Sequence, residues 1–363
     1  MTQPETPEKE NDKEKPSFLA RNWKLILNIV TLLALVVLVV ALREQVVDVF
    51  RQIKSVQWWA LLLLIPLEIL NYDAQARLYQ RLFGIVGNKL SYKNMFKLSL
   101  ELNFVNSVFP SGGVTGISYF GMRMRSNQVT AAKATMVQLM KLVMLFVSFE
   151  VLVIIGLFFL AAVGKVNGLV LLIAGGLSML MVVCTGGFVY IVGSEKRIKG
   201  FFGFATQALN RVIQVVRPKH PETINVERAR EAFEDMHQNY LLFRNKLPEL
   251  RAPFMWALIA NFVEVLCVYA VYIAFGEWVN LGAVILAYAI ANFAGFVSVL
   301  PGGVGVYEAL MTGVLVIAGI PAALSIPVVV MYRVLNTIIQ LPPGFYFYHK
   351  TLKDGTLSRA PET

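Results

Sequence analysis

The chain has 363 residues, of which 56% are hydrophobic and only 15% are charged. Because a soluble domain carries about a quarter charged residues, this composition excludes an ordinary water-soluble globular protein. The net charge of +10 resides mostly in loops and does not imply nucleic-acid binding, and two cysteines in apolar stretches provide no disulfide framework or metal-binding spacing.

Apolar stretches long enough to cross a membrane recur along the chain, since about 20 helical residues span the hydrocarbon layer. The sequence therefore predicts an all-α polytopic membrane protein with about six confident transmembrane helices. These are residues 23–42, 56–72, 134–163, 168–192, 252–275 and 327–346. The first stretch lacks a small-residue cleavage site, which favours an uncleaved anchor over a signal peptide.

Two further apolar regions, near residues 98–121 and 281–319, are interrupted by Asn, Pro and Gly. They share an Asn-Phe pair followed by Pro, paired Gly and another Gly. The candidate site residues in them are Asn106, Pro110, Gly112, Gly113, Asn292, Pro301, Gly302, Gly303 and Gly305. Because backbone freed at membrane depth is tolerated only inside protein or beside a polar cavity, both regions are predicted to be discontinuous or re-entrant elements. Tight turns between closely packed helices are the alternative.

The distribution of lysine and arginine predicts the orientation. Of the 33 such residues, 27 fall in the two tails and in segments 73–133 and 194–251, which would share one side. Since cytoplasmic loops are enriched in these residues, both termini are predicted to be cytoplasmic in a cell (inner) membrane. The first interrupted element would then enter from the cytoplasm and the second from outside. This arrangement is typical of inverted-repeat transporters with a midplane site.

The predicted organisation is two membrane halves, 23–192 and 251–348, between polar cytoplasmic tails at 1–22 and 349–363. A cytoplasmic insertion at 193–250 separates the halves. From Val226 to Leu247 its apolar residues recur every three or four positions, which predicts an amphipathic helix. This helix is expected either to pack under the membrane domain or to dock a partner. The histidines, His220, His237 and His349, are predicted to be solvated.

Ionisable side chains inside the predicted spans are candidate functional groups, because a charge at mid-membrane costs roughly 2.5 to 3.5 kcal/mol. They are Glu68, Glu101, Lys141, Glu150, Glu264, Glu308 and Arg333. Glu308 directly follows the second Pro-Gly-Gly run and Arg333 lies in the last span, so the two are predicted to converge. Arginine is suited to phosphate because its planar group offers paired donors. A structural ion pair is the alternative.

The run from Leu300 to Glu308 resembles the second half of the lysylphosphatidylglycerol synthase membrane-domain family, also called flippase-like proteins. The matching positions are Pro301, Gly302, Gly303, Gly305 and Glu308, then Arg333, Pro343 and Gly344. The first conserved stretch is matched more loosely by Asp73, Arg77, Asn106, Pro110, Gly112 and Gly113. The resemblance implies movement of a phosphate-containing lipid, a phospholipid or a polyprenyl-linked lipid, between leaflets. In fused relatives a soluble aminoacyl-transfer domain follows the membrane part, whereas here only the polar residues 349–363 follow it. Lipid synthesis is therefore not expected from this chain.

The first half departs from the family pattern. Many relatives carry an acidic residue and an arginine just after the first Pro motif, whereas here Arg123 comes only later. A helix that often carries a charged pair instead has Gln138 and Lys141. The lipid headgroup therefore stays open.

The resulting hypothesis is a lipid transporter in which helix N-termini and Arg333 hold the lipid phosphate, while Glu308 engages a cationic group or couples protons. No cofactor or metal is expected, membrane lipids are the expected partners, and homo-oligomerisation is left open. One alternative is a membrane-embedded lipid or glycosyl transferase with Asp73 or Glu308 as base. Another is an accessory scaffold of an envelope-lipid pathway. An enzyme is less favoured, because neither an acidic metal-binding cluster nor a conspicuous histidine is present.

Overall fold

The computed structural model describes residues 40, 43, 47, 56–109, 114–201, 203, 226–297 and 305–354. All secondary structure in this part is helical, which confirms the predicted all-α membrane class. The described residues do not include the tails before residue 40 and after residue 354, nor segment 204–225, so the predicted span 23–42 lies outside them except for residue 40. So do Pro110, Gly112, Gly113, Pro301, Gly302 and Gly303.

The α-helices with defined bounds are numbered here in chain order. They are α1 Trp58–Leu62, α2 Leu64–Ile85, α3 Tyr92–Val108, α4 Val114–Arg125, α5 Ala131–Ala162, α6 Gly168–Val192, α7 Val226–Asn245, α8 Arg251–Ala274, α9 Leu281–Val297, α10 Val306–Ile317 and α11 Ala322–Lys353. A 3-10 turn, Leu247–Leu250, joins α7 to α8.

Four helices of the described part are long and apolar enough to cross a membrane: α5, α6, α8 with its preceding turn, and α11. They coincide with four of the predicted spans. Only 22% of the most apolar window of α6 is buried, against 67% for α8, so α6 is peripheral and α8 central. The predicted span 56–72 does not end where its helix ends, because α2 continues past Tyr72 to Ile85 and includes Asp73 and Arg77.

Each interrupted element consists of two helices, one on either side of its proline and paired glycines. The first helices, α3 and α9, have 17 residues each, and the second, α4 and α10, have 12 each. At 1.5 Å per residue, 12 residues extend about 18 Å, short of the roughly 30 Å hydrocarbon layer. Neither α4 nor α10 can therefore cross a membrane alone.

The chain contains an internal repeat of four helices. Helices α2 to α5 have 22, 17, 12 and 32 residues, and helices α8 to α11 have 24, 17, 12 and 32. The halves pack crosswise, because α3 lies on α11, α9 lies on α5, and α2 lies on α8. This pairing is what two interlocked copies of one unit produce.

Glycines occupy the two equivalent crossings. A side-chain carbon on Gly344 of α11 would lie 2.7 Å from Cβ of Phe104 and 2.8 Å from the carbonyl oxygen of Leu100 in α3. A side-chain carbon on Gly156 of α5 would lie 3.1 Å from the carbonyl oxygen of Gly282 in α9. Glycine is therefore required at position 344, and a side chain at position 156 would force its neighbours in α9 to shift by a few tenths of an ångström.

The two interrupted elements begin at opposite ends of the helix bundle. Before α9, the Asn280 amide donates to the carbonyl of Phe159 near the end of α5. At that same end, the Asn167 amide donates to the carbonyl of Ile317. Helix α3 follows the end of α2, and this end shares a surface cleft with the start of α8. Helix α9 instead follows the end of α8, so the two interrupted elements begin at opposite ends of α8. The halves are therefore inverted relative to each other within the bundle.

Helix α7 packs against the membrane domain. Its residues Met236, Tyr240 and Phe243 are buried in the same apolar core as residues of α2 to α5. The ring Nδ1 of His237 lies 2.8 Å from the carbonyl oxygen of Val192. The prediction that His237 is solvated is therefore wrong, because the amphipathic helix turns this residue toward the end of α6.

Candidate functional site

A network of buried and half-buried polar side chains connects the two interrupted elements. It begins at Asn103 in α3 and ends at Asn292 in α9, each the twelfth residue of its helix. These are the two asparagines of the repeated Asn-Phe pair. The network therefore joins equivalent positions of the two halves through side chains of α2, α8 and α11.

On the first-half side, Asn103 is held between two helices. Its amide nitrogen donates to the hydroxyl of Tyr72 at 2.6 Å and to the side-chain oxygen of Gln340 at 2.5 Å. The amide nitrogen of Gln340 in turn donates to Oε2 of Glu68 at 2.9 Å. Glu68 is only 1% exposed, so its carboxyl group depends on these protein donors.

The centre of the network is a pair of carboxyl groups, Glu68 of α2 and Glu264 of α8. With the thiol of Cys267, their ligand atoms all lie within 4.8 Å of one another. In the described part of the chain, this is the one group of such side chains close enough to hold a metal ion. The donors of Gln340 and Tyr332 already point at the two carboxyl groups, however. The two carboxyl groups therefore have protein hydrogen-bond partners in the described structure.

On the second-half side, α11 carries the network onward. The Tyr332 hydroxyl donates to Oε2 of Glu264 at 2.8 Å and accepts from the amide of Asn336 at 3.2 Å. Asn292 donates to the hydroxyl of Tyr307 at 3.5 Å and to the carbonyl of Tyr288 at 2.9 Å. The side chains of Tyr307 and Tyr332 are also hydrogen-bonded to each other, so the network reaches α10, directly after the second Pro-Gly-Gly run.

Glu308 and Arg333 meet at this end of the network. Arg333 Nε lies 3.3 Å from Glu308 Oε1, and the side chains are 18% and 11% exposed. The guanidinium also lies over the Tyr307 ring, 4.4 Å from its centroid. Oε2 of Glu308 accepts from the backbone N–H of Gly305 at 2.7 Å and so caps α10. The structure thus brings the two predicted residues together, and their role in binding stays a prediction.

Gly305 provides the geometry for this cap. Its φ of +87° lies in the left-handed region, which an L side chain adopts only at a cost. The turn aims its N–H at the Glu308 carboxylate, three residues along the chain. A backbone N–H at a helix N-terminus and a guanidinium therefore converge on one carboxylate, and these are the donors that also bind phosphate.

A second buried ion pair lies beside the first interrupted element. Glu101 of α3 is fully buried and accepts from Arg123 at 3.2 Å, from Tyr119 at 2.9 Å and from Thr351 at 2.8 Å. Arg123 is the arginine that comes late after the first Pro motif. Because three donors saturate Glu101, this pair fixes α4 and the end of α11 on α3.

Lys141 has a different environment. Its ammonium donates to Oε1 of Gln75 at 3.4 Å and to the hydroxyl of Tyr79 at 3.1 Å, and it lies 4.4 Å from the Tyr79 ring centroid. The Tyr79 hydroxyl donates to Gln138 at 2.8 Å. Among the residues described, no acidic side chain forms an ion pair with Lys141.

Asp73 and Arg77 lie apart from the network. They form an exposed ion pair at 2.7 Å on successive turns of α2, and Tyr92 donates to Asp73 at 2.6 Å. Partial burial and the bond to Asp73 raise the pKa of Tyr92 to about 12, so its hydroxyl stays a donor at neutral pH. The Arg77 guanidinium also lies 4.9 Å from the ring centroid of Trp256. This arrangement ties α2 to α3 and α8 near the predicted cytoplasmic surface.

Asn106 lies next to the first Pro motif on the exposed side of α3. A side-chain carbon on Gly116 would overlap its amide group, so the Asn106 side chain packs onto the backbone of α4. Among the described residues, no hydrogen bond joins it to the polar network. Its predicted binding role therefore remains a prediction.

Glu68 and Glu264 are candidates from the sequence, but their pairing is not predicted, and Gln340, Asn336 and Tyr332 are not among the candidates. The signal was present, because positions 332, 336 and 340 follow a spacing of four and lie on one face of α11. Neutral polar residues in an apolar helix are less conspicuous than charges, although their burial also requires partners.

Two comparisons with known proteins are informative. A family model described as the lysylphosphatidylglycerol synthase TM region matches residues 25–344. A protein of Methanothermobacter thermautotrophicus described as a UPF0104 membrane protein is 35% identical over 83 residues. That match covers 23% of this chain and 25% of the relative, so this chain aligns with only about a quarter of the relative's length.

Proposed function

The chain belongs to the family of the lysylphosphatidylglycerol synthase TM region, and we propose that it is a multi-pass lipid transporter of the cell membrane, with both termini cytoplasmic. Its cargo would be a lipid with a phosphate-containing headgroup, a phospholipid or a polyprenyl-linked lipid. The observation that carries the proposal is the buried polar network between the two interrupted elements. Polar and ionisable groups are costly in an apolar layer, and they typically mark a transport pathway there.

The contacts of Glu308 suggest how a headgroup would bind. Its carboxylate accepts a hydrogen bond from the N–H of Gly305 and forms an ion pair with Arg333. A lipid phosphate uses the same two donors, so it would displace the carboxylate from them. The released carboxylate could then take up a proton or face a cationic headgroup. In this mechanism the Glu308 carboxylate occupies the phosphate-binding donors when no lipid is bound.

The repeat supports alternating exposure of the site. The two interrupted elements begin at opposite ends of the bundle, and the second helix of each has 12 residues, too few to cross the membrane. Rocking of one half against the other would expose the network first to one leaflet and then to the other. The acyl chains would remain in lipid throughout.

The test is headgroup translocation of fluorescent phospholipids in liposomes that contain the purified protein. Wild type is expected to accelerate translocation, and Glu308→Gln and Arg333→Gln are each expected to abolish the acceleration. Lys246→Gln removes one member of an exposed ion pair with Glu249 and is the matched control, with wild-type rates expected. All variants are compared at equal folded content.

No acceleration by wild type for any anionic, zwitterionic or polyprenyl lipid would refute transport. Turnover of a lipid substrate by the purified protein would instead support the transferase alternative. Deletion of the insertion that abolishes function in cells while translocation in liposomes continues would support the scaffold alternative.

A further inference from the structure

We propose that Lys141 is a second phosphate-binding residue, which holds the anionic headgroup of a lipid within the first half of the protein. The proposal rests on the proposed transport function and extends it to a site that the Glu308 and Arg333 pair does not include. It follows from the charge environment of Lys141, from its place in the repeat and from its depth along the helix.

Lys141 has no carboxylate partner among the described residues. In the described structure, the other cations of the membrane core have a carboxylate, because Arg123 pairs with Glu101 and Arg333 pairs with Glu308. Lys141 has only the amide oxygen of Gln75 and the neutral Tyr79. A cation at membrane depth is stabilised by an anionic partner. Because the described partners of Lys141 are neutral, an external anion can serve as its anionic partner.

The internal repeat makes Lys141 equivalent to a residue of the polar network. Lys141 is the eleventh residue of α5, and its equivalent in α11 is Tyr332. Gln75 lies ten residues before the end of α2, as Glu264 does in α8. The contact between Lys141 and Gln75 is thus the counterpart of the bond between Tyr332 and Glu264. In this equivalent pair of contacts, the first half has the cation Lys141, whereas the second half has the carboxylate of Glu264.

Lys141 lies inside the predicted membrane layer. At 1.5 Å per residue, it lies about 10 Å from the start of the predicted span 134–163. Arg333 lies about 9 Å from the start of the predicted span 327–346, which begins at the other side of the layer. Lys141 is half-buried, so part of its side chain is accessible. Each half therefore presents a cation within the predicted layer, and the anion that can reach it from the surrounding membrane is a lipid phosphate.

The experiment measures binding rather than transport. Purified protein in neutral detergent is titrated with short-chain phosphatidylglycerol, with phosphatidylcholine as the zwitterionic lipid, and bound lipid is counted by native mass spectrometry. Lys141→Gln is expected to lower the affinity for phosphatidylglycerol about tenfold, the loss of one charge-assisted hydrogen bond. Lys141→Arg is expected to keep it. Lys133→Gln removes a charge from the first turn of the same helix and is expected to bind as wild type.

Several outcomes would overturn the proposal. Phosphatidylglycerol binding by Lys141→Gln at wild-type affinity would show that the ammonium contacts no headgroup. An equal loss in Lys133→Gln would show a general effect of charge. Glycerol phosphate that competes as well as the lipid would make the site one for a free phosphate ester. Lys141→Met keeps the apolar stem and replaces Lys141→Gln if that variant fails to fold.

The outcomes also separate this inference from transport itself. If Lys141→Gln loses phosphatidylglycerol binding while wild type moves no lipid in liposomes, the binding site stands and the transport function fails. If wild type moves lipid and Lys141→Gln both binds and moves it normally, transport stands and this inference fails.

Discussion

Neutralising either member of the Glu308 and Arg333 pair is expected to destabilise the protein, whereas neutralising both is expected to restore its stability. The side chains are only 11% and 18% exposed, so a remaining single charge would be poorly solvated. Removing one partner of a buried ion pair costs about 3 to 5 kcal/mol, whereas replacing both is often nearly neutral. Glu308→Gln keeps an oxygen that can accept from Gly305, so the lower value of about 3 kcal/mol applies to it.

The assay is equilibrium unfolding of the two single variants and the double variant in mixed micelles with increasing SDS, combined with translocation in liposomes. The double variant is expected to unfold near the wild-type midpoint and yet to move no lipid, because it lacks the phosphate-binding guanidinium. A double variant as unstable as the sum of the singles would refute the reasoning about charge pairing. A stable double variant with wild-type translocation would show that the pair is structural only.

Three further predictions concern stability, all measured by thermal unfolding in detergent. Gly344→Ala is expected to destabilise by about 1 to 3 kcal/mol through overpacking, whereas Gly313→Ala, with open space around it, is expected to be neutral or slightly stabilising; equal effects would refute the tight crossing. Glu101→Gln is expected to cost about 3 kcal/mol, and the double variant with Arg123→Gln less; an unchanged Glu101→Gln would contradict a buried charge pair. Asp73→Asn is expected to cost less than about 1 kcal/mol because its partner is exposed, and a larger loss would contradict a surface pair.

Much of the fold could be predicted from the sequence because apolar length determines which segments cross a membrane. Spans such as 168–192 coincide with a helix to the residue. The end of an apolar stretch does not predict the end of its helix, as α2 shows, because it remains helical past the predicted span 56–72 to Ile85. Backbone hydrogen bonds continue there, although the side chains have become polar.

The candidate site was predictable only where charge stood next to a recognisable motif. Glu308 follows the Pro-Gly-Gly run, and its convergence with Arg333 could be proposed from the sequence alone. The contact between Gln75 and Lys141 joins residues that are 66 positions apart, and it depends on how α2 packs against α5. Such contacts follow from helix rotation and depth, which periodicity alone does not determine.

The crosswise packing of the halves has a consequence for biogenesis. When residues up to about 250 have left the ribosome, α3 lacks α11, α5 lacks α9 and α2 lacks α8. The first half must therefore wait in the membrane, with its polar groups facing lipid or an insertion chaperone, until the second half is synthesised. A fragment ending in the insertion is expected to be degraded when expressed alone and to be rescued when the remaining half is co-expressed as a separate polypeptide.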